Sequence, residues 1–258
     1  MLWQKSWVET RWRFLIGFAI LLVLACGIVM QYPAMRRLMP LAASVGAGTA
    51  DGRLARAIEH AIEVQRDYRG FVWYQWVSQN FAHTWVLFAA LLGSGGLLAR
   101  STGAGALFTL SLPVRRRDLV EVRALTGLAE LFALALVPSL LIVVLSPAIG
   151  ERYSLADAAV HAACVFVGGA MFYCLALLLS TLFSDIWRPA LITCGVAVLM
   201  AGAEAMAAGG SRFGIFGAIT AESYFRTGAL PWPGLLVSVA ASAAMLSATL
   251  ANVNNMEV

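Results

Sequence analysis

Six stretches of the chain are nearly unbroken apolar runs: residues 14–30, 81–99, 125–145, 158–183, 189–208 and 235–251. Each approaches the roughly 20 residues a helix needs to cross a hydrocarbon core of about 30 Å, where every backbone donor and acceptor must be satisfied within its own segment. Apolar and polar positions do not alternate over ten-residue segments, as they would in a membrane barrel. The pattern predicts an all-α integral membrane protein with six transmembrane helices in a single transmembrane domain spanning 1–258. An even number of spans puts both termini on one side.

The polar stretches between the runs carry patterns of their own. Before the first span, helical spacing gathers Trp3, Trp7, Thr10 and Phe14 in one sector, with Lys5, Glu9 and Arg13 in another. This predicts an N-terminal amphipathic helix lying in the headgroup layer, where Trp is favoured, or a set of anchors for the first span. A basic stretch before an apolar run also begins a signal peptide, but this run continues past Cys26 and five more follow, so the first span reads as a retained helix. In the long outer segment 31–80, Leu54, Ile58, Ala61 or Ile62 and Tyr68 recur at helical spacing against Arg53, Arg56, Glu59, Glu63, Arg66 and Asp67. That predicts an outer amphipathic helix. Residues 209–233 hold too many glycines for a span and too many apolar residues for a free loop. They are expected to dip partly into the membrane and pack on the bundle.

Composition reinforces the class: 60% of residues are hydrophobic and 12% charged, with a mean hydropathy of +0.80, against about 25% charged in soluble domains. Charge does less for orientation. With the N-terminus inside, the 18 Lys and Arg residues divide nine and nine between the two sides. Local density favours an inside N-terminus, because Lys5, Arg11, Arg13 and the cluster Arg115, Arg116 and Arg117 lie close to span ends.

Self-contained chemistry is hard to find. A phosphate-binding Walker loop needs a lysine after its glycines, and the only lysine is Lys5. His60, His83 and His161 are scattered without metal-ligand spacing, and Cys26, Cys164, Cys174 and Cys194 fall inside apolar runs as small packing residues. Gly93, Ser94, Gly95 and Gly96 read as close packing or a helix stop rather than a nucleophile loop. Ionisable groups inside spans are costly and therefore candidates for function. Glu130 lies two turns beyond Arg123 on the same face of the third span and is expected to pair with Arg123 or Arg188. Glu204, near the outer end of the fifth span, is expected to reach toward the outer surface. Pro138 removes a backbone donor within the third span and predicts a kink near Leu134.

The segment between spans two and three, 100–123, contains LFTLSLPVRRRDLVEVR from Leu107 to Arg123. With KSWVETRWRF before the first span and TGALPWPGLL before the last, the chain resembles the permease subunits of ABC-2-type ATP-binding-cassette exporters. The resemblance implies six spans with both termini cytoplasmic in a bacterial inner membrane. It also implies a permease homodimer among membrane lipids and a separately encoded ATPase partner that holds ATP and Mg, with no cofactor, catalytic residue, metal site or nucleic-acid partner in this chain. Mapped onto these residues, Leu107, Phe108, Leu110 and Leu112 would form an apolar ridge for a groove on the ATPase, ended by Pro113. Arg115, Arg116 and Arg117 would hold the rim or lipid phosphates, and Asp118 would cap the third helix. The turn Ser184, Asp185 to Arg188 is a second possible coupling contact, and Gly168, Gly169 and Ala170 would allow close helix approach. The chain departs from the family in carrying Ser101, Thr102 and Gly103 where an acidic residue often precedes the motif. The rival readings are a non-transporting membrane scaffold or sensor and an intramembrane enzyme. The enzyme should show polar residues converging at one depth.

Overall fold

A backbone that must satisfy itself in hydrocarbon becomes helix, and in the computed structural model the described residues, 2–47, 61–95, 116–183, 185–207 and 213–255, form helices and turns with no strand. Helix α1 (Leu2–Ala47) is a single 46-residue helix, about 69 Å long at 1.5 Å per residue. The stretch before the first apolar run is therefore not a separate interfacial helix but the start of α1. Ser6 and Thr10 are buried there.

Residues 81–93 of the second apolar run close a continuous helical rod made of α2 (Tyr68–Phe71), a π-helical segment (Val72–Phe81) and α3 (Ala82–Gly93). Asp67 caps its start by accepting from the Gly70 N–H at 3.3 Å. Two contacts suit the wider turn of a π-helix. The Trp76 and Phe81 rings, five residues apart, stack at 4.7 Å, and the Asn80 amide donates to the Gln75 carbonyl at 2.7 Å. Tyr68 thus begins this rod instead of belonging to an outer amphipathic helix. Of that helix, residues 61–64 are helical and 48–60 lie outside the described residues.

Helix α4 (Arg116–Leu145) passes through Pro138 without interruption and ends in a 3-10 turn, Ser146–Ile149, closed by Gly150 at φ +78°. A left-handed residue here favours glycine. Then follow α5 (Leu155–Leu182), α6 (Trp187–Met206), the short α7 (Ile215–Ile219) and α8 (Glu222–Thr227), and α9 (Trp232–Asn255). Among the described residues five helices, within α1, α4, α5, α6 and α9, are long and apolar enough to cross a membrane, which marks the chain as a helical membrane protein.

The rods alternate in direction. At the end holding the N-terminus, Arg13 donates to the Leu91 carbonyl at 2.9 Å, Arg123 pairs with Glu9 at 3.4 Å and Asn252 donates to Thr181 at 2.8 Å. At the far end, Tyr68 bonds Ser146 at 2.7 Å, Arg36 meets Glu151 at 3.4 Å and Arg69 pairs with Asp157 at 2.9 Å. Helix α5 is the most buried of the five, and α6 and α9 the least.

Glycines let α5 and its neighbours touch. A Cβ on Gly93 would stand 2.6 Å from the Tyr173 carbonyl oxygen and 2.7 Å from the Ala176 Cβ, and one on Gly168 would stand 2.8 Å from Ile219 Cγ1. Gly169 faces the Trp85 ring, whose indole N–H donates to the Leu131 carbonyl at 3.1 Å. Because lipid tails are as apolar as Leu, such close approach replaces the hydrophobic effect as the force between helices. Gly93→Ala should lower stability by about 1–3 kcal/mol through overpacking against backbone that cannot move aside. Gly27→Ala, where a Cβ meets nothing within 4 Å, should not lower it, and thermal unfolding in detergent compares the two.

Candidate functional site

A cluster of buried polar groups, Ser6, Thr10, Arg123, Thr126 and Glu130, lies where α1 crosses α4. Thr10 is the one polar residue in the Trp3, Trp7 and Phe14 sector, and its hydroxyl is hydrogen-bonded to Glu130 Oε1 and to the Ser6 carbonyl at 3.2 Å. Glu130 is 4% exposed, and its second oxygen, Oε2, has no hydrogen-bond partner; neither has the buried Ser6 hydroxyl. Arg123, also buried, directs Nη1 to Glu9 Oε2 at 3.4 Å, while the Tyr173 hydroxyl donates to the Arg123 carbonyl at 3.0 Å. Three helices are thereby tied by groups that hydrocarbon would otherwise leave unsatisfied.

This corrects the expected pairing of Glu130 with Arg123 or Arg188. Two turns of helix separate Glu130 and Arg123 by about 10 Å of axial rise, and α1 supplies a nearer partner to each. Arg188 is held within its own turn: its N–H donates to Asp185 Oδ1 at 2.7 Å and its guanidinium meets Asp185 Oδ2 at 3.0 Å. Ser94 stops α3 by donating its hydroxyl to the Leu91 carbonyl at 3.0 Å.

Beside the Thr10–Glu130 contact, α1 and α4 flank an open surface groove of about 500 Å³. Trp3, Trp7 and Phe14 form its α1 wall, with Gln4 at the edge, and Thr126, Ala129 and Ala133 line α4 next to Glu130. The Trp7 and Phe14 rings are 5.3 Å apart and Phe14 stacks on Phe18 at 5.6 Å, so the wall continues as an aromatic ladder. The alanines opposite are too small to fill the gap. The aromatic sector is legible in the sequence as a lipid-facing anchor; Thr10 within it is the sign of a polar partner.

At the far end, Glu204 does not reach for the surface. Its Oε1 accepts from the Ile215 and Phe216 N–H groups at 2.6 and 3.1 Å, and its Oε2 from Phe216 and Gly217 at 3.0 and 3.2 Å. The carboxylate satisfies the amides that open α7, where a helix has no internal acceptors. Ile215, Ala218, Ile219 and Ala221 are buried, so the described part of the 209–233 segment packs on the bundle. A second fastening joins α8. The Trp73 and Phe225 rings stack at 4.3 Å, Trp73 donates to the Thr220 carbonyl at 2.9 Å and Tyr224 donates to Asp157 at 2.9 Å. Nearby, Tyr153 bonds His161 Nδ1 at 3.1 Å, and burial raises the pKa of its phenol.

Of the expected coupling residues, Leu107, Phe108, Leu110, Leu112, Pro113, Arg115 and Ser184 lie outside the described residues. Arg116 opens α4, and Arg117, exposed, pairs with Glu121 at 2.7 Å. Asp118 stands inside the first turn of α4, where a negative charge opposes the positive helix end; the helix begins before it, so it is not the residue outside the helix that caps it. Among the described residues no three His, Cys, Asp or Glu side chains group to hold a metal.

No family model, curated protein or solved structure matches the chain.

Glu204→Ala should leave the first amides of α7 without acceptors and cost about 1–2 kcal/mol. Hydrogen exchange at Ile215, Phe216 and Gly217 should accelerate, with Glu204→Gln, which keeps one acceptor oxygen, falling between Ala and the parent.

Proposed function

We propose that the chain is the membrane-spanning permease subunit of an ABC-2-type exporter. It crosses the bacterial inner membrane six times with both termini cytoplasmic, counting the rod of residues 68–93 as the second span. Two copies work with separately encoded ATPases that bind ATP and Mg, and the cargo is amphipathic or lipid-like.

One observation carries this reading: the N-terminal end of the bundle collects the start of α1, the end of α3, the start of α4 and the α5–α6 turn. In sequence the LSLP stretch lies between α3, which ends near Ser94, and α4, which opens with Arg116 and Arg117 of the arginine triplet, and α1 begins at the same end with Lys5, Arg11 and Arg13. A cytoplasmic ATPase would meet this end. The exposed apolar face of α6, with Leu191, Val198 and Leu199 outward and open space beside Gly195 and Gly202, suits packing against a second copy or lipid.

On this reading, closure of the ATPases around ATP pulls on the segments between spans two and three. Arg123 then transmits the displacement to α1 through Glu9 and to α5 through Tyr173. Nucleotide biases the bundle between two packings because the ATPase contacts differ in each.

Tagged chain solubilised from its native host should co-purify with a Walker-motif ATPase; repeated absence of one would end the exporter reading. Replacing Arg115, Arg116 and Arg117 together by Glu should reduce that association while the protein still reaches the membrane. Unchanged association would reduce the triplet to a topology signal.

A further inference from the structure

We infer that the pocket between α1 and the turn after α4 holds the phosphodiester of an anionic phospholipid, in the leaflet at the end of the bundle opposite the N-terminus. The site requires only that the chain spans a membrane and does not depend on the exporter reading.

The pocket, of about 330 Å³, is lined by Tyr32, Pro33, Arg36 and Arg37 from α1 and by Ile149 and Glu151 from the turn that follows α4. Its polar groups decide what it can hold. Arg36 and Glu151 meet at 3.4 Å, so their charges offset each other. Arg37 is exposed and has no ion pair among the described residues, which leaves one positive charge unanswered on the wall. Tyr32 is 4% exposed, its ring held 4.8 Å from Tyr68 and 5.0 Å from Phe71. Among the described residues its hydroxyl has no hydrogen-bond partner, and unlike Glu130 Oε2 it is not shut off from solvent. A fixed phenol donor beside an uncommitted guanidinium suits a group with one negative charge and several acceptor oxygens. A phosphodiester is such a group.

Depth and the surface below favour a lipid over a soluble anion. The first apolar run ends at Met30, and Arg37 stands seven residues later, about 10 Å along the axis. The headgroup layer occupies about 5–8 Å beyond the hydrocarbon, within reach of a side chain as long as arginine's. Val23, Met30 and Arg37 recur every seven residues and so share one face of α1. Val23 is 71% exposed and Met30 58%, so this face is turned away from the bundle. An acyl chain descending from a phosphate at Arg37 lies along Met30 and Val23, which places charge and apolar contact on one line, as a phospholipid carries them.

Dioleoylphosphatidylglycerol is the probe, titrated into the full-length protein in detergent and counted by native mass spectrometry. One molecule per chain should be retained before weaker ones add. Dioleoylglycerol, which lacks the phosphate, and glycerophosphoglycerol, which lacks the chains, should each bind at least about 10-fold more weakly. Arg37→Gln should weaken the first binding step by about 5-fold, the effect of one basic residue at a headgroup surface. Tyr32→Phe, which keeps the buried ring, should weaken it by about 2- to 10-fold. Arg11→Gln, which removes a cation at the other end, should leave it unchanged, and all three variants should keep the parent's helix content by circular dichroism. Equal binding of the chain-free headgroup would make the pocket a site for soluble anions. Undiminished binding in both Arg37→Gln and Tyr32→Phe, or loss in Arg11→Gln alone, would put the lipid elsewhere, and any of these results overturns the inference.

Discussion

Inside a bilayer, helices gain little from burying apolar surface against one another, because lipid offers the same surroundings. What holds this bundle together is therefore the close approach of α5 to the helices around it, and the glycines and alanines that permit it. Gly93 rests on the backbone of α5 near Tyr173, Gly168 receives Ile219, and Gly169 receives the Trp85 ring. Ser238 of α9 donates to the Gly168 carbonyl at 2.5 Å, which ties α9 to the same stretch of α5. Larger residues at Gly93 and Gly168 would push α3 and α7 outward.

Close packing sets distance, and a few polar ties set register. Trp85 to the Leu131 carbonyl, Tyr173 to the Arg123 carbonyl, and Thr10 to Glu130 each join two helices at one height. Their low exposure makes them specific, since a slipped helix would strand a donor or acceptor in hydrocarbon. The two ends of the molecule use this differently. The far end is fastened redundantly by Arg69, Asp157, Tyr224 and the Trp73–Phe225 stack. The N-terminal end carries buried groups that remain short of partners, Ser6, Arg123 Nε and Glu130 Oε2, and the groove opens beside one of them.

Glu130 and Glu204 show how far a residue type can be read without its surroundings. Both stand out as acids in apolar runs, and both were legible as exceptional. Their partners were not: Thr10 lies 120 positions from Glu130, and the amides taken by Glu204 belong to a segment whose glycines hide its short helix from any periodic pattern. The π-helical segment escaped for a related reason, because its aromatic pairs recur at five residues while helix patterns are sought at three and four.

The sequence by itself determined that the chain is helical and which apolar runs lie within its long helices, though α1 and α4 extend well beyond the runs at 14–30 and 125–145, and that the described part of residues 209–233 forms no long helix before the last one. These follow from local rules, because backbone groups in hydrocarbon are satisfied by residues four apart and length is counted along the chain. Only the tertiary structure decided that the Trp3, Trp7 and Phe14 sector walls a groove, that Arg123 answers Glu9 while Glu130 answers Thr10, and that Glu204 caps α7. Side-chain pairing depends on which helices become neighbours and at what height, and that choice is made by packing between segments far apart in sequence.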